Sequence, residues 1–316
     1  MSKLIIKKTN QGPISKKVIA GLKKTKNQKV IDLSAFEKAK IYAEDLEKTI
    51  ISQKDMEKYD PLHAVYIYAQ NKLSIFVEML VDLPALTKLT NAYSDAEDLY
   101  LPSGPPMSPL TTSYFTCWGL FDLCIGNQKE TFGTIIIDLC KFLKVDPGLI
   151  HVFECMQESR MGFYVHKGTL DKYVLLEELI TKKQIKAIVP SGYLGNYNQI
   201  WFARIMAEPF PALNNRYSVV FTTPYVIAEM QGNQFFSSTE EQWLKFFERT
   251  LEKTGFKNKN QSYETLMKYG LNRHYWNEYI LEGYVNHTNE MIILAGFPDI
   301  PLSRPHSRES EKRMEL

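Results

Sequence analysis

Leu101-Pro-Ser-Gly-Pro-Pro-Met-Ser-Pro-Leu110 divides the chain. Four prolines and a glycine in ten residues exclude a helix there, because proline has no amide donor and its ring clashes one turn back. Upstream the segments read as helices rich in Lys and Glu. Downstream they read as strands and aromatic runs. The stretch therefore sets an α+β expectation: a helical region over 1–100, an α+β domain over 101–302 and a mobile tail over 303–316. That domain should hold a central, mostly antiparallel sheet or small barrel followed by carboxy-terminal helices.

Working back from the prolines, Ser34-Ala-Phe-Glu37 fits a capping box and Asp60-Pro61 opens a helix with Leu62, Val65, Tyr66 and Ala69 on one face. A further helix is expected over Leu73–Val81, ending before Pro84, and a last one towards Asp98. Forward of the prolines, Ser113–Ile125 reads as an aromatic strand with Gly119 as a bulge, placing Tyr114, Thr116, Trp118, Leu120 and Asp122 on one face. Asp146-Pro-Gly148 starts a turn and a short buried helix. Strands are expected over Gly162–Val165, Tyr173–Leu179, Gln184–Val189, Ile200–Met206 and Tyr217–Ala228, separated by turn signals such as Pro190-Ser-Gly192. Thr239-x-x-Gln242 caps a helix, Asn272 starts another through Trp276, Ile280 and Val285, and Met291–Gly296 is a short strand.

The chain has 316 residues, 44% apolar and 12% aromatic, which excludes global disorder. Its net charge of +2 is unevenly spread: residues 1–31 hold nine lysines and no acid, whereas Asp32–Tyr100 hold thirteen acids and seven lysines. The Lys3–Lys29 lysines offer a nucleic-acid or anionic-membrane contact. The favoured alternative rests Ser15–Lys24 against its own acidic neighbour as an amphipathic helix, through Val18, Ile19 and Leu22. Cys117, Cys124, Cys140 and Cys155 match neither a zinc site nor a redox dithiol. They read as small buried hydrophobes in a reducing cytoplasm. No signal peptide or membrane-spanning run is expected.

The run from Val174 through Glu177, Glu178 and Ile188-Val-Pro-Ser-Gly-Tyr-Leu-Gly195 to Ile200-Trp-Phe-Ala-Arg204 resembles a β-module of uncharacterised bacterial proteins. In that module an apolar strand, a tight turn, a second strand, a glycine segment and an arginine-bearing strand follow one another. Lys182-Lys183 stand where the module has a glycine turn. The resemblance implies a bacterial source and a fold, and no activity.

Ser191–Asn198 is expected to be a flexible loop carrying Tyr193 and Tyr197, with Trp201 and Arg204 on the strand after it. A buried Arg204 requires a carboxylate, from Glu177, Glu178 or Asp122. Asp122, Glu130 and Asp138, with Lys141, raise metal-dependent phosphodiester cleavage, although the acid-x-lysine pair of common nucleases is missing. His151 and Cys155 share a helix face with His166 as the obvious third ligand, and a packed histidine is the better reading. Arg273–Tyr279 clusters aromatics that pack at i, i+4 as readily as they stack on a base. No metal or cofactor is expected. The favoured function is a cytoplasmic binding protein, for an unspecified protein or small molecule, contacting it through Tyr114, Trp118, Tyr193, Tyr197, Trp201 and Arg204. The alternatives are a hydrolase using Asp122 and Glu130 as paired carboxylates, and a secreted bacterial effector with an exportable tail at Arg308–Leu316.

Overall fold

The computed structural model describes residues 11–27, 52–100, 112–210, 216–231, 234–270, 281–287 and 292–296, with positions 41, 44, 48 and 50. The proline stretch, the Ser34–Glu37 box, the Arg273–Tyr279 cluster, the amino-terminal lysines before Lys16 and the tail lie outside the described residues. The protein is α+β, as expected.

Helices come first: α1 (Pro13–Asn27), α2 (Gln53–Met56), α3 (Pro61–Leu80), α4 (Thr87–Tyr100), α5 (Thr112–Phe121), α6 (Phe132–Leu143) and α7 (Pro147–Glu158). Caps explain their starts. Asp60 accepts from the Leu62 amide before Pro61, Asp146 from Leu149 before Pro147, and Thr131 exchanges a capping box with Thr134. The two helices expected within 61–81 are one, because nothing between Pro61 and Leu80 interrupts the ladder. Helix α1 packs on α6 and buries Val18 in the helical core, with Ile19 also buried; the segment docks within the chain, but on α6 and not on the acidic stretch expected to receive it.

Nine strands follow: β1 (Met161–Leu170), β2 (Tyr173–Glu178), β3 (Gln184–Ile188), β4 (Ile200–Met206), β5 (Ser218–Val220), β6 (Tyr225–Gln231), β7 (Gln234–Ser237), β8 (Leu281–His287) and β9 (Ile292–Gly296). Helices α8 (Glu240–Glu252) and α9 (Lys259–Tyr269) lie between β7 and β8. Strands β1-β2-β3-β5-β4 close on themselves through a β1–β4 pairing, giving a five-stranded barrel. The pairs β3–β5 and β6–β9 are parallel and the others antiparallel. Strand β6 leaves the barrel from β4 and carries β7 on one side and β9-β8 on the other.

Alternation along these strands sorts the apolar residues. Tyr164, Val174, Leu176, Ala187, Trp201, Ala203 and Val220 fill the barrel. Phe163, Val165, Ile200 and Phe202 face Trp243, Phe247, Tyr263 and Leu266 of α8 and α9. Ile188, Met206, Tyr217 and Val219 face the helical core. The barrel is thus held between two helical layers.

Two expectations are corrected. Ser113–Ile125 is not a strand, since its described core is helix α5, whose aromatics serve two layers at once. Tyr114, Phe115 and Trp118 pack towards α8 and α9, while Cys117, Leu120 and Phe121 enter the helical core. A short segment apolar on every side carries no period that separates helix from strand. Gly119 is not a bulge but the place where the Tyr93 ring crosses the helix, leaving no room for a Cβ. The helix expected through Val285 is, over its described part, strand β8, paired antiparallel with β9.

Candidate functional site

Asp122 follows the last turn of α5, Arg204 lies on β4 and Lys268 on α9, and the three meet in the interior. The Arg204 side chain is 0% exposed and Asp122 4%. Arg204 Nη2 donates to Asp122 Oδ2, and Lys268 Nζ lies 2.8 Å from Asp122 Oδ1. Both cations also satisfy the open carbonyls at the end of α7. Arg204 Nη1 donates to Ser159 O at 3.0 Å, and Lys268 Nζ donates to Gln157 O at 2.5 Å and Ser159 O at 2.7 Å. Of the three carboxylates named for Arg204, Asp122 is the one that pairs with it. The cluster is a four-element fastening with no open side for a substrate.

Burial pulls the Lys268 ammonium down to about 8, with Asp122 pulling the other way. The unfolded lysine titrates at its ordinary value of 10.5. Between those values the unfolded chain holds more protons, so this group makes stability rise with pH. Urea titrations at pH 7 and pH 9.5 should show the wild type gaining on Lys268→Met as pH rises. A gap that stays constant or moves the other way would mean the ammonium is not penalised by its burial.

Glu130 is committed elsewhere. Its carboxylate accepts from the Ile14 and Ser15 amides at 2.9–3.1 Å, fixing the first turn of α1. Asp138 sits on α6, where burial raises its carboxyl pKa, and Lys141 pairs with Glu154 at 2.6 Å. The structure does not gather these groups with Asp122. His151 Nε2 lies 2.7 Å from the Pro209 carbonyl, so that nitrogen carries its proton and cannot take one from Cys155, whose sulfur is 3.9 Å away. Burial raises the Cys155 thiol to about 11, leaving it protonated at neutral pH. Among the described residues no three His, Cys, Asp or Glu side chains gather as a metal site.

One end of the barrel is closed by the 190–199 connection. Gln199 Oε1 accepts from Tyr193 Oη at 3.0 Å, the Asn196 amide at 2.9 Å and Trp201 Nε1 at 3.2 Å. The Trp201 ring packs in tilted contact with both His166 and Tyr193, with centroids 5.2 and 5.4 Å away. His166 accepts from the Gly168 amide at Nδ1, and burial lowers its pKa. Gly195, at φ +69°, lies against the Trp201 ring where any Cβ would collide. The loop expected to be flexible is therefore pinned. It exposes Leu194 (45%) and Tyr197 (68%). Of the other aromatics named for binding, Tyr114 and Trp201 are buried, Trp118 packs on the core, and Tyr193 is half-buried. They pack against neighbouring side chains instead of forming an outward face.

The opposite end opens into a groove of about 710 Å³. Tyr164, Ile185 and Ile205 form the barrel side of its lining, and Arg216, Tyr217 and Ser218 approach from the β5 side. Arg160 fixes one flank. It grips Glu264 of α9 through Nε at 2.5 Å and Nη2 at 2.7 Å, and Glu178 of β2 through Nη1 at 2.8 Å. Arg160 holds the Glu264 carboxyl below its usual range, and burial keeps the Tyr164 phenol protonated. Lys183 and Lys186 of the β3 region also line the groove, with Lys186 Nζ 4.7 Å from the Tyr173 ring centre.

None of these groove residues is singled out by the sequence as a binding group. Arg160 and Glu264 are 104 residues apart, and only barrel closure brings β3 opposite β5. The one local trace is the Lys182-Lys183 pair at the turn between β2 and β3. No protein-family model, curated protein or solved structure matches the chain.

Proposed function

We propose that the chain is a binding module whose ligand seats in the groove at the open end of the barrel. The carrying observation is the unequal finish of the two ends: one is plugged by Trp201, Tyr193 and the Gln199-pinned loop, and the other leaves about 710 Å³ of concave space. That volume falls within the range of small-ligand sites, roughly 300–1,000 Å³, and barrel mouths are a recurrent place for them. The barrel is only a frame, and the reading rests on the groove's residues. Gln184, Thr181, Ser218 and Asn260 offer hydrogen bonds beside the apolar Ile185 and Ile205. Binding is favoured over turnover because the candidate catalytic groups named from the sequence are engaged elsewhere: Asp122 by two cations, Glu130 by two amides, Cys155 by its own high pKa. The four free thiols support a reducing, cytoplasmic setting.

Thermal-shift measurements on wild type, Ser218→Trp and Tyr197→Ala, with one panel of polar metabolites and short peptides, test this. Ligands should raise the melting temperature of wild type and Tyr197→Ala by about 3 °C or more near saturation, and leave Ser218→Trp unmoved. Ligands that lose their effect in Tyr197→Ala and keep it in Ser218→Trp would move the site to the loop.

A further inference from the structure

We propose that the outer face of α1 is a contact surface for double-stranded nucleic acid, held by its sugar-phosphate backbone without regard to sequence. None of the residues of this face lines the groove, so the surface is additional to the site proposed above. The 15 residues of α1 include no acid. Of its positions up to Lys24, the exposed ones are Pro13, Lys16, Lys17, Ala20, Gly21, Lys23 and Lys24. At 3.6 residues per turn the four lysines fall within about 120° of arc around Ala20, and the two pairs stand about 10.5 Å apart along the axis. The small Ala20 and Gly21 between the pairs leave room for a phosphate backbone to come close.

The other side of the helix is already committed. Val18 and Ile19 are buried, and Leu22 packs on the helical core. Glu130 accepts from the Ile14 and Ser15 amides, with Asp138 beside Ser15. The carboxylates that engage α1 there do so in its first turn and on its docked side. Lys23 Nζ lies 5.2 Å from the Phe142 ring centre. Among the described residues none of the four lysines has a carboxylate partner. A rigid row of unneutralised cations gains from a polyanion whose counterions it releases.

The composition of the face chooses among polyanions. An amphipathic helix on a membrane gives its apolar side to the lipid, and here that side is buried in the protein. Protein partners are held chiefly by aromatic and arginine anchors in desolvated pockets, and single strands by stacking on aromatic rings. The described face carries neither aromatic nor arginine. Base edges are read by forked arginine or amide side chains, which are missing too. Lysine is a point charge that meets a phosphate from many directions. A duplex backbone, itself a regular row of charges, is the polyanion that asks for nothing more.

The test is fluorescence anisotropy of the full chain with two labelled twenty-base-pair DNA duplexes of unrelated sequence, across a range of salt concentrations. Both should bind equally. Lys16→Gln/Lys17→Gln/Lys23→Gln/Lys24→Gln should bind about tenfold or more weakly, and its slope of log K against log[salt] should be shallower by about 3–4. The difference in slope is the reading, because Lys3, Lys7, Lys8, Lys26 and Lys29 add to both. Each pair changed alone should give about half of that difference, which keeps the test if the fourfold variant is unstable. Lys54→Gln/Lys88→Gln/Lys253→Gln/Lys257→Gln removes the same charge from exposed positions elsewhere and should bind like wild type. A matching RNA duplex is titrated alongside, and the tighter of the two names the nucleic acid served. Equal loss in the control variant, unchanged binding in the α1 variants or a flat salt dependence overturns the proposal. Tighter binding of single strands, polyglutamate or phosphatidylserine vesicles than of either duplex overturns it as well.

Discussion

Asp122→Asn will cost about 3–5 kcal/mol of folding stability, enough to leave much of the chain unfolded or insoluble at 37 °C. The substitution keeps the shape and removes the negative charge that bridges Arg204 and Lys268. Two cations then share one buried site, and the Ser159 and Gln157 carbonyls supply dipoles where a full charge is needed. Urea denaturation of wild type and variant gives the number directly. A loss below about 1 kcal/mol would mean that water reaches the cluster. The companion variant Asp122→Leu/Arg204→Met/Lys268→Met, which removes all three charges together, should recover most of the loss.

The second large effect is expected at Arg160. Arg160→Ala strips the partner from Glu178, whose side chain is 4% exposed, and releases Glu264 on α9. The expected cost is about 3 kcal/mol, most of it from the stranded Glu178. Arg160→Lys should fall between the two, because an ammonium cannot reproduce the paired contact of the guanidinium with Glu264. The same variants report on the groove, which loses the flank formed by Asn260 and Glu264 once α9 loosens. Equal stability of Arg160→Lys and wild type would show that charge alone, without the fork geometry, holds α9 in place.

What the sequence disclosed depended on whether the deciding force was local. Strand β4 reads correctly at both ends, Ile200 and Met206, because a buried β-branched and aromatic run stands between turn signals. The Thr239–Gln242 capping box reads correctly too, being a bond between residues three apart. Arg204 announced its need for a carboxylate because a lone guanidinium inside a core is too costly. Asp122 lies 82 residues away, so the choice among three acids had to wait for the fold. Helix α5 was misread because two layers, each built from distant residues, claim its opposite faces. The strand expected over Tyr217–Ala228 breaks into β5 and β6 around Pro224, which cannot donate to a ladder. The groove was invisible because it is a gap between strands.

The Asp122 fastening carries a consequence for biosynthesis. Its last member, Lys268, leaves the ribosome 146 residues after Asp122, a delay of roughly 7–30 s at usual elongation rates. Throughout that interval the nascent helices hold an aspartate whose counter-ions have not all been made. The amino-terminal helices that meet Asp122 therefore complete this contact only after α9 has been made.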